Sequence, residues 1–376
     1  MNFIDNIEIK NFKSIRHQKI EGCKRINLFV GPPNVGKSNI LEALGVFSIA
    51  ENKDKFSDFV RMGKSTTLFF NGSIENPIQI IINEFYRAKI KFDKNGLFVS
   101  MQEVRYTNDD FATIDDDLQN ASITDESDII DRLNVKGSFS VNENSDSIDN
   151  FRGDSNLRIF KGLKEDRLQT DVLKRIPFIK YEFKRDIKYN SNSAWKLNRP
   201  YGENIFEIIS TKEELNNSII KILEGYGLNF LFDSESQQYK ILKIIGKKIF
   251  TVPYFMTADT LRRLIFHEAA ILSNKNSVLL FEEPESQMYP PFISKLTSSI
   301  INDENENQFF IATHSPFVLN DFMENAKDDL AIYLVDYKKE TGETIINKMS
   351  DEDMHEAYQF GYDFFLNIKQ FLPQSK

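Results

Sequence analysis

Residues 31–44, GPPNVGKSNILEAL, constrain the fold more than any other stretch of this chain. They match G-x-x-x-x-G-K-[ST], with Gly31 and Gly36 as turn residues and Lys37 and Ser38 at the reactive end. In such a loop the backbone amides after the turn point at phosphate oxygens, and the helix that starts there adds the positive end of its dipole. Lys37 would sit against the β and γ phosphates of ATP, and Ser38 would give its hydroxyl to Mg²⁺. Pro32 and Pro33 have no N–H to offer. The amides of Val35, Gly36, Lys37 and Ser38 are intact, and Asn34 can take the left-handed conformation that glycine often supplies. The apolar run before the loop, residues 26–30, reads as a buried strand, and NILEALGVF after it has helical apolar spacing.

At 376 residues the chain can bury a large core and suggests two or three domain-sized units. A net charge of −9 argues against a surface coated with phosphate-binding cations, although a local basic groove remains compatible with it. The single cysteine, Cys23, excludes an intramolecular disulfide framework and a Cys-rich zinc site, and fits a reducing cytosol. The opening MNFIDNIEIKNFKSIRHQ scatters charge through its length and does not read as a signal peptide, and no run of about eighteen apolar residues could span a membrane. The expectation is a cytoplasmic protein with no membrane partner.

Residues 3–30 alternate in strand fashion, and TTLFF, PIQIIINEFY, AKIKF and GLFVSM between 66 and 105 read as short strands. Asn71-Gly72 and Lys94-Asn95-Gly96 look like hairpin turns, so an antiparallel sheet is expected beside the phosphate loop. Residues 106–150 are acidic and poor in apolar periodicity, which reads as a mobile insertion, with a DNA mimic or a partner dock as the alternative. From Arg152 to Arg199 cations interleave with aromatics, a pattern that suits a nucleic-acid surface and equally an ordinary core strand with solvated lysines. STKEELNNSIIKILEGYG carries a Ser210–Glu213 capping box and a stop at Gly225, predicting one helix.

SVLLFEEPESQMYPP, residues 277–291, predicts a buried strand that delivers Glu282 and Glu283 to its C-terminal edge, where α/β sheets place their ligands. Glu282 can hold the Mg²⁺ water shell, and Glu283 can align and deprotonate an attacking water. NQFFIATHSPFVL predicts a further buried strand ending in Thr313, His314 and Ser315, with His314 placed to hydrogen-bond a γ phosphate.

G-x-x-x-x-G-K-S, then hhhh-[DE]-E-P-E, then h-A-T-H-S-P, in that order with a long insertion between the first two, resemble the ABC-type ATPase heads of the SMC, RecF and OLD group. The N-terminal strand pair with Asn11-Phe12-Lys13-Ser14 agrees. Within the group the chain is most similar to stand-alone AAA-family ATPases that accompany bacterial anti-phage systems. The resemblance implies an α/β P-loop NTPase with a mixed central sheet, an antiparallel β subdomain and a helical or irregular insertion. The corresponding division is residues 1–105 and 248–376 for the two parts of the head, with 106–247 inserted.

It also implies a slow ATPase using Mg²⁺ at Ser38 and Glu282, with nucleotide contacts at Gly31, Asn34, Val35, Gly36, Lys37, Ser38, Asn39 and Lys13. Two heads, or a higher even-numbered oligomer, would sandwich ATP, each loop being completed by a signature segment of the other chain. That segment is expected in YFMTADTLRRLIFHEAAIL, with Thr257, Thr260 and Arg262 as the contacts. Glu282 stands where the group usually has Asp, and the glutamine of the inter-lobe loop is not identifiable, Gln102 being a guess. The residues after the third motif are too few for a Toprim nuclease, so a separate effector protein, a nuclease or toxin, is the expected partner. A RecF-like ATPase acting on DNA, a transporter subunit, and a protein that holds ATP only structurally remain as alternatives.

Overall fold

The computed structural model describes residues 4–49, 55–83, 86–93, 96–103, 135–141, 148–153, 178–190, 195–235 and 238–359. The chain enters through β1 (Ile7–Phe12) and β2 (Ile15–Ile20), then β3 (Ile26–Val30), which runs into the phosphate loop and α1 (Lys37–Gly45). A four-residue helix, α2 (Phe56–Phe59), precedes β4 (Ile78–Ile82), β5 (Tyr86–Asp93), β6 (Gly96–Glu103), β7 (Val135–Val141), β8 (Ile148–Gly153) and β9 (Phe178–Tyr181). Helices α3 (Ile205–Thr211) and α4 (Glu213–Glu224) lead to β10 (Asn229–Asp233), β11 (Gln238–Ile245) and β12 (Lys248–Pro253). Then come α5 (Asp259–Ser273), β13 (Val278–Glu282), α6 (Pro290–Ile301), β14 (Gln308–Thr313), α7 (Pro316–Asn325), β15 (Leu330–Lys338), β16 (Glu343–Lys348) and α8 (Asp351–Gln359).

The central sheet has the order β16-β15-β3-β14-β13-β9, parallel throughout except for the antiparallel β15–β16 pair. Every residue of β3, β9 and β14 is buried, as expected for strands covered on both faces. Alternate side chains serve two cores. Leu279 and Phe281 pack with Leu264, Leu296 and Leu319 of α5, α6 and α7, whereas Val278 and Leu280 pack with Ile40 and Leu44 of α1 and with the antiparallel sheet. Each such aliphatic or aromatic side chain contributes about 1.5–3 kcal/mol on burial. The mixed sheet with an antiparallel subdomain is as expected.

Several local expectations are corrected. TTLFF is not a strand: Ser65–Leu68 and Phe70–Gly72 are 3₁₀ turns, with only Phe69 bridging Phe12. Consecutive Leu68 and Phe69 are both buried, which an alternating strand cannot do with one core, and Asn71 turns the chain at φ 52°. The capping box fails as well, because Ser210 Oγ donates to the Glu207 carbonyl at 2.9 Å and the backbone breaks at Lys212 into two helices. The stop at Gly225 and the Asp93/Gly96 hairpin register are found.

Two parts of the stretch expected to be mobile, β7 and β8, are strands that extend the antiparallel sheet, whose order is β2-β1-β4-β5-β6-β7-β8. β9, also within 106–247, forms the edge of the central sheet, and the boundary at 247/248 falls inside the β11–β12 hairpin. The insertion is therefore stitched into both sheets. Residues 106–134 and 154–177 lie outside the described residues.

Candidate functional site

The phosphate loop joins the C-terminal end of β3 to α1. Gly36 caps α1 at φ 103°, a region closed to side chains, and a Cβ there would stand 2.1 Å from Thr344 Oγ1. No side chain caps the helix, so its first amides are left for an anion. Asn34 adopts φ 62°, the left-handed conformation foreseen for it. Lys37 is buried and lays its ammonium back on the loop, donating to the carbonyls of Gly31 at 2.8 Å and Pro32 at 2.7 Å. Burial lowers its pKa to about 8, against the opposing attraction of Glu283 and Glu282. Ser38 is half-buried on the first turn of α1.

Thr344 of β16 braces this loop from 309 residues away. Its hydroxyl donates to the Val35 carbonyl at 2.8 Å and accepts from Ser14 Oγ at 2.6 Å, and Ser14 in turn accepts from Asn39 Nδ2 at 2.7 Å. Asn39 thus supports the loop from behind through Ser14. Nothing in the local sequence around Thr344 marks this role.

β13 and β14 end side by side. Glu283, at φ 43°, takes a backbone bond from its amide to the Ala312 carbonyl, and its Oε1 lies 3.0 Å from His314 Nε2. Burial, reinforced by Lys37, lowers the His314 pKa, so the ring is neutral near pH 7. Glu285 of the same turn is buried, accepts a hydrogen bond from Thr313 Oγ1, and is pushed toward its protonated form by burial. The predicted residues Lys37, Glu282, Glu283 and His314 are thereby brought to one edge of the sheet.

Glu282 is held by Arg61, whose guanidinium donates to it at 2.9 Å. The same guanidinium and the Arg61 amide bind Glu42, a fully buried carboxylate of α1, at 2.6 and 3.0 Å. Lys13, expected at the nucleotide, instead makes an ion pair with Glu42. A buried carboxylate needs compensating cations, and Lys13 and Arg61 supply them to Glu42. Glu42 inside the apolar run NILEAL was the available signal for this cluster.

In the segment expected to carry the signature, α5 starts at Asp259, with Ala258 at its N-cap and no side chain capping it. Thr260 Oγ1 accepts from the Tyr289 amide at 2.9 Å, tying it to the carboxylate-bearing loop, and Thr257 Oγ1 is buried without a hydrogen-bond partner. Arg262 is not available to a second chain. It is 3 % exposed and donates to the carbonyls of Phe255 and Arg185, because its aromatic neighbours Phe183 and Tyr254 shelter the guanidinium. In the basic stretch, Arg185 pairs with Asp259 and Gln287, and Lys184 lies 3.6 Å over the Tyr201 ring. Gln102 sits in β6, its backbone paired with Arg87 and Val135, and not in a loop between lobes.

Residues 26–320 match the family described as "AAA domain, putative AbiEii toxin, Type IV TA system". An uncharacterized protein of Methanocaldococcus jannaschii is 33% identical over 137 residues, 36% of this chain and 57% of that protein. The DNA replication and repair protein RecF of Caldanaerobacter subterraneus subsp. tengcongensis is 29% identical over 92 residues, 24% of this chain and 23% of RecF. The chain therefore spans little more than half, and about a quarter, of these relatives' lengths. An Smc head solved with the C-terminal winged-helix domain of ScpA superposes with a TM-score of 0.50 at 16% identity, covering 93% of this chain and 99% of the Smc chain. That likeness shows the fold, a P-loop NTPase of the ABC-type head architecture. Among the described residues no helix is long and apolar enough to cross a membrane.

Proposed function

We propose, from the premise that the chain belongs to the AAA-domain family described as putative AbiEii toxin of Type IV TA systems, that it binds and hydrolyses ATP. The observation that carries this reading is the convergence of Lys37, Glu282, Glu283 and His314 at the C-terminal edge of β3, β13 and β14, with Glu283 and His314 3.0 Å apart.

The loop amides and Lys37 bind and orient the β and γ phosphates once the lysine leaves the Gly31 and Pro32 carbonyls. Ser38 and Glu282 offer the hydroxyl and carboxylate oxygens that Mg²⁺ takes, and Glu282 already engages a cationic partner in Arg61. Bound there, Mg²⁺ supplies neutralisation of phosphate charge. Glu283, exposed enough to meet water, aligns it and receives its proton at a carboxylate oxygen as water attacks the γ phosphorus and the bond to the β,γ-bridging oxygen breaks, ADP leaving with that electron pair. Neutral His314 has a single N–H to give, so it either holds Glu283 in place or turns to donate to the γ phosphate.

The further reading is a head that pairs with a second copy around ATP through the α5 N-terminus and regulates a separate effector, a nuclease or toxin, in anti-phage defence. The test is Glu283→Gln, purified with ATP and Mg²⁺ from cells expressing its genomic neighbours and weighed by native mass spectrometry. ATP-loaded even-numbered assemblies carrying a second polypeptide support it, and turnover equal to wild type refutes the role of Glu283. RecF supports a second reading, a DNA-binding ATPase. It is the weaker because Lys184 and Arg185, two cations of the basic stretch that would meet DNA, are engaged within the chain. Salt-sensitive DNA binding by wild type would restore it.

A further inference from the structure

We propose that Arg61 is the positioning residue of the metal carboxylate, fixing one oxygen of Glu282 and leaving the other for Mg²⁺. The inference rests on the reading that Ser38 and Glu282 offer oxygens to that ion. Glu282 is the last residue of β13, and a glutamate has one more rotatable bond to fix than an aspartate. Among the described residues its carboxylate has one hydrogen-bond partner, Arg61 Nη2, which donates to Oε1 at 2.9 Å.

Arg61 is itself firmly held. Its Nε and its amide donate to the two oxygens of Glu42, at 2.6 and 3.0 Å, and Glu42 is fully buried in α1. The segment that carries it is pinned as well, because the Phe59 carbonyl accepts from Lys180 Nζ of β9 at 2.8 Å, and β9 is a strand that pairs with β13. Ser38 and Glu42 stand four residues apart on α1 and therefore share a face. Helix α1 thus supplies Ser38 directly and places Glu282 through Glu42 and Arg61.

Compensating the buried Glu42 does not account for the contact to Glu282. Lys13 already pairs with Glu42, and the Nη2 bond adds nothing to that carboxylate. The Arg61–Glu282 pair is also partly exposed, so it is worth little to stability, and its effect falls on where the carboxylate points. A planar guanidinium serves both carboxylates at once because its donors form a fixed fork.

Charge and geometry predict opposite signs. A guanidinium acting only as a positive charge repels the ion, so its loss would tighten metal binding. One that holds a ligand carboxylate weakens metal binding when lost, about 10-fold or more for such hydrogen-bond partners. Arg61→Lys separates the two, since it keeps the charge and removes the fork.

The experiment is Mn²⁺ binding, by electron paramagnetic resonance, to the full chain saturated with a non-hydrolysable ATP analogue, beside the affinity for the analogue in EDTA. Arg61→Lys should bind Mn²⁺ about 10-fold more weakly with its affinity in EDTA unchanged, and Arg61→Gln should also fall below wild type. Glu282→Asp, shorter by one methylene, should weaken Mn²⁺ binding and then be insensitive to Arg61→Lys, a non-additivity that a merely structural arginine does not produce. Wild-type Mn²⁺ affinity in Arg61→Lys, tighter binding in Arg61→Gln, an equal loss of analogue binding in EDTA, or additive losses in the double variant would each overturn the proposal. Glu282→Ala with wild-type Mn²⁺ affinity would instead overturn the reading of Glu282 as a metal ligand.

Discussion

His314 Nε2 lies 3.0 Å from Glu283 Oε1, joining the ends of two parallel strands, β13 and β14, that register Glu282 against Ala312. Because burial keeps the ring neutral, it can hold the carboxylate by a hydrogen bond without cancelling its charge. His314→Ala should lower ATP turnover by about 10–100-fold with ATP binding nearly unchanged, the range for a residue that positions a catalytic group rather than acting as the base itself. His314→Gln should recover part of the loss. An equal loss in binding and turnover, measured by steady-state kinetics beside a fluorescent-nucleotide titration, would make the histidine merely structural.

Thr344 holds the phosphate loop through the Val35 carbonyl and Ser14. Thr344→Val keeps the volume but removes the hydroxyl, which should weaken ATP binding about 10-fold, the worth of roughly one hydrogen bond and its orphaned partner. Thr344→Ser should bind like wild type. Calorimetric titration of the three proteins decides, and an unaffected valine variant would mean that the residue only fills space.

Glu42, fully buried, anchors Lys13 and the half-exposed Arg61. Glu42→Gln strands Lys13 and leaves Arg61 to Glu282 alone, and should cost about 2 kcal/mol in urea unfolding, less than a fully buried pair because Arg61 is more than half exposed. Arg61→Gln should cost less, since Glu42 keeps Lys13. A larger loss in the arginine variant would reverse this order of importance.

Lys37 sets a pH dependence. Its folded pKa is lowered to about 8, so above that pH the nucleotide-free protein carries a neutral amine and ATP binding must take up a proton. Affinity should fall up to tenfold per pH unit above 8, and Lys37→Arg should flatten the slope. For folding the sign is opposite: the unfolded lysine binds more protons between about pH 8 and its ordinary pKa near 10.4, so this group adds stability as pH rises through that window. Kd measured from pH 7 to 9.5 at fixed Mg²⁺ is the check.

The loop, its strand and helix, the carboxylate pair and His314 were legible in the sequence because each depends on a short run. Gly36 must take positive φ, Asn34 can, and apolar runs such as VLLF and FFIA mark strands buried on both faces. Ser210 and TTLFF misled for the same reason in reverse, since local pattern lost to packing. The remaining features depended on tertiary structure. Which cation neutralises Glu42, that Arg61 bridges it to Glu282, that Thr344 reaches the phosphate loop and that Arg262 is sealed among aromatics all join residues far apart in the chain. Sequence alone fixes which groups need a partner; burial makes that need costly, and only the folded chain decides which distant residue meets it.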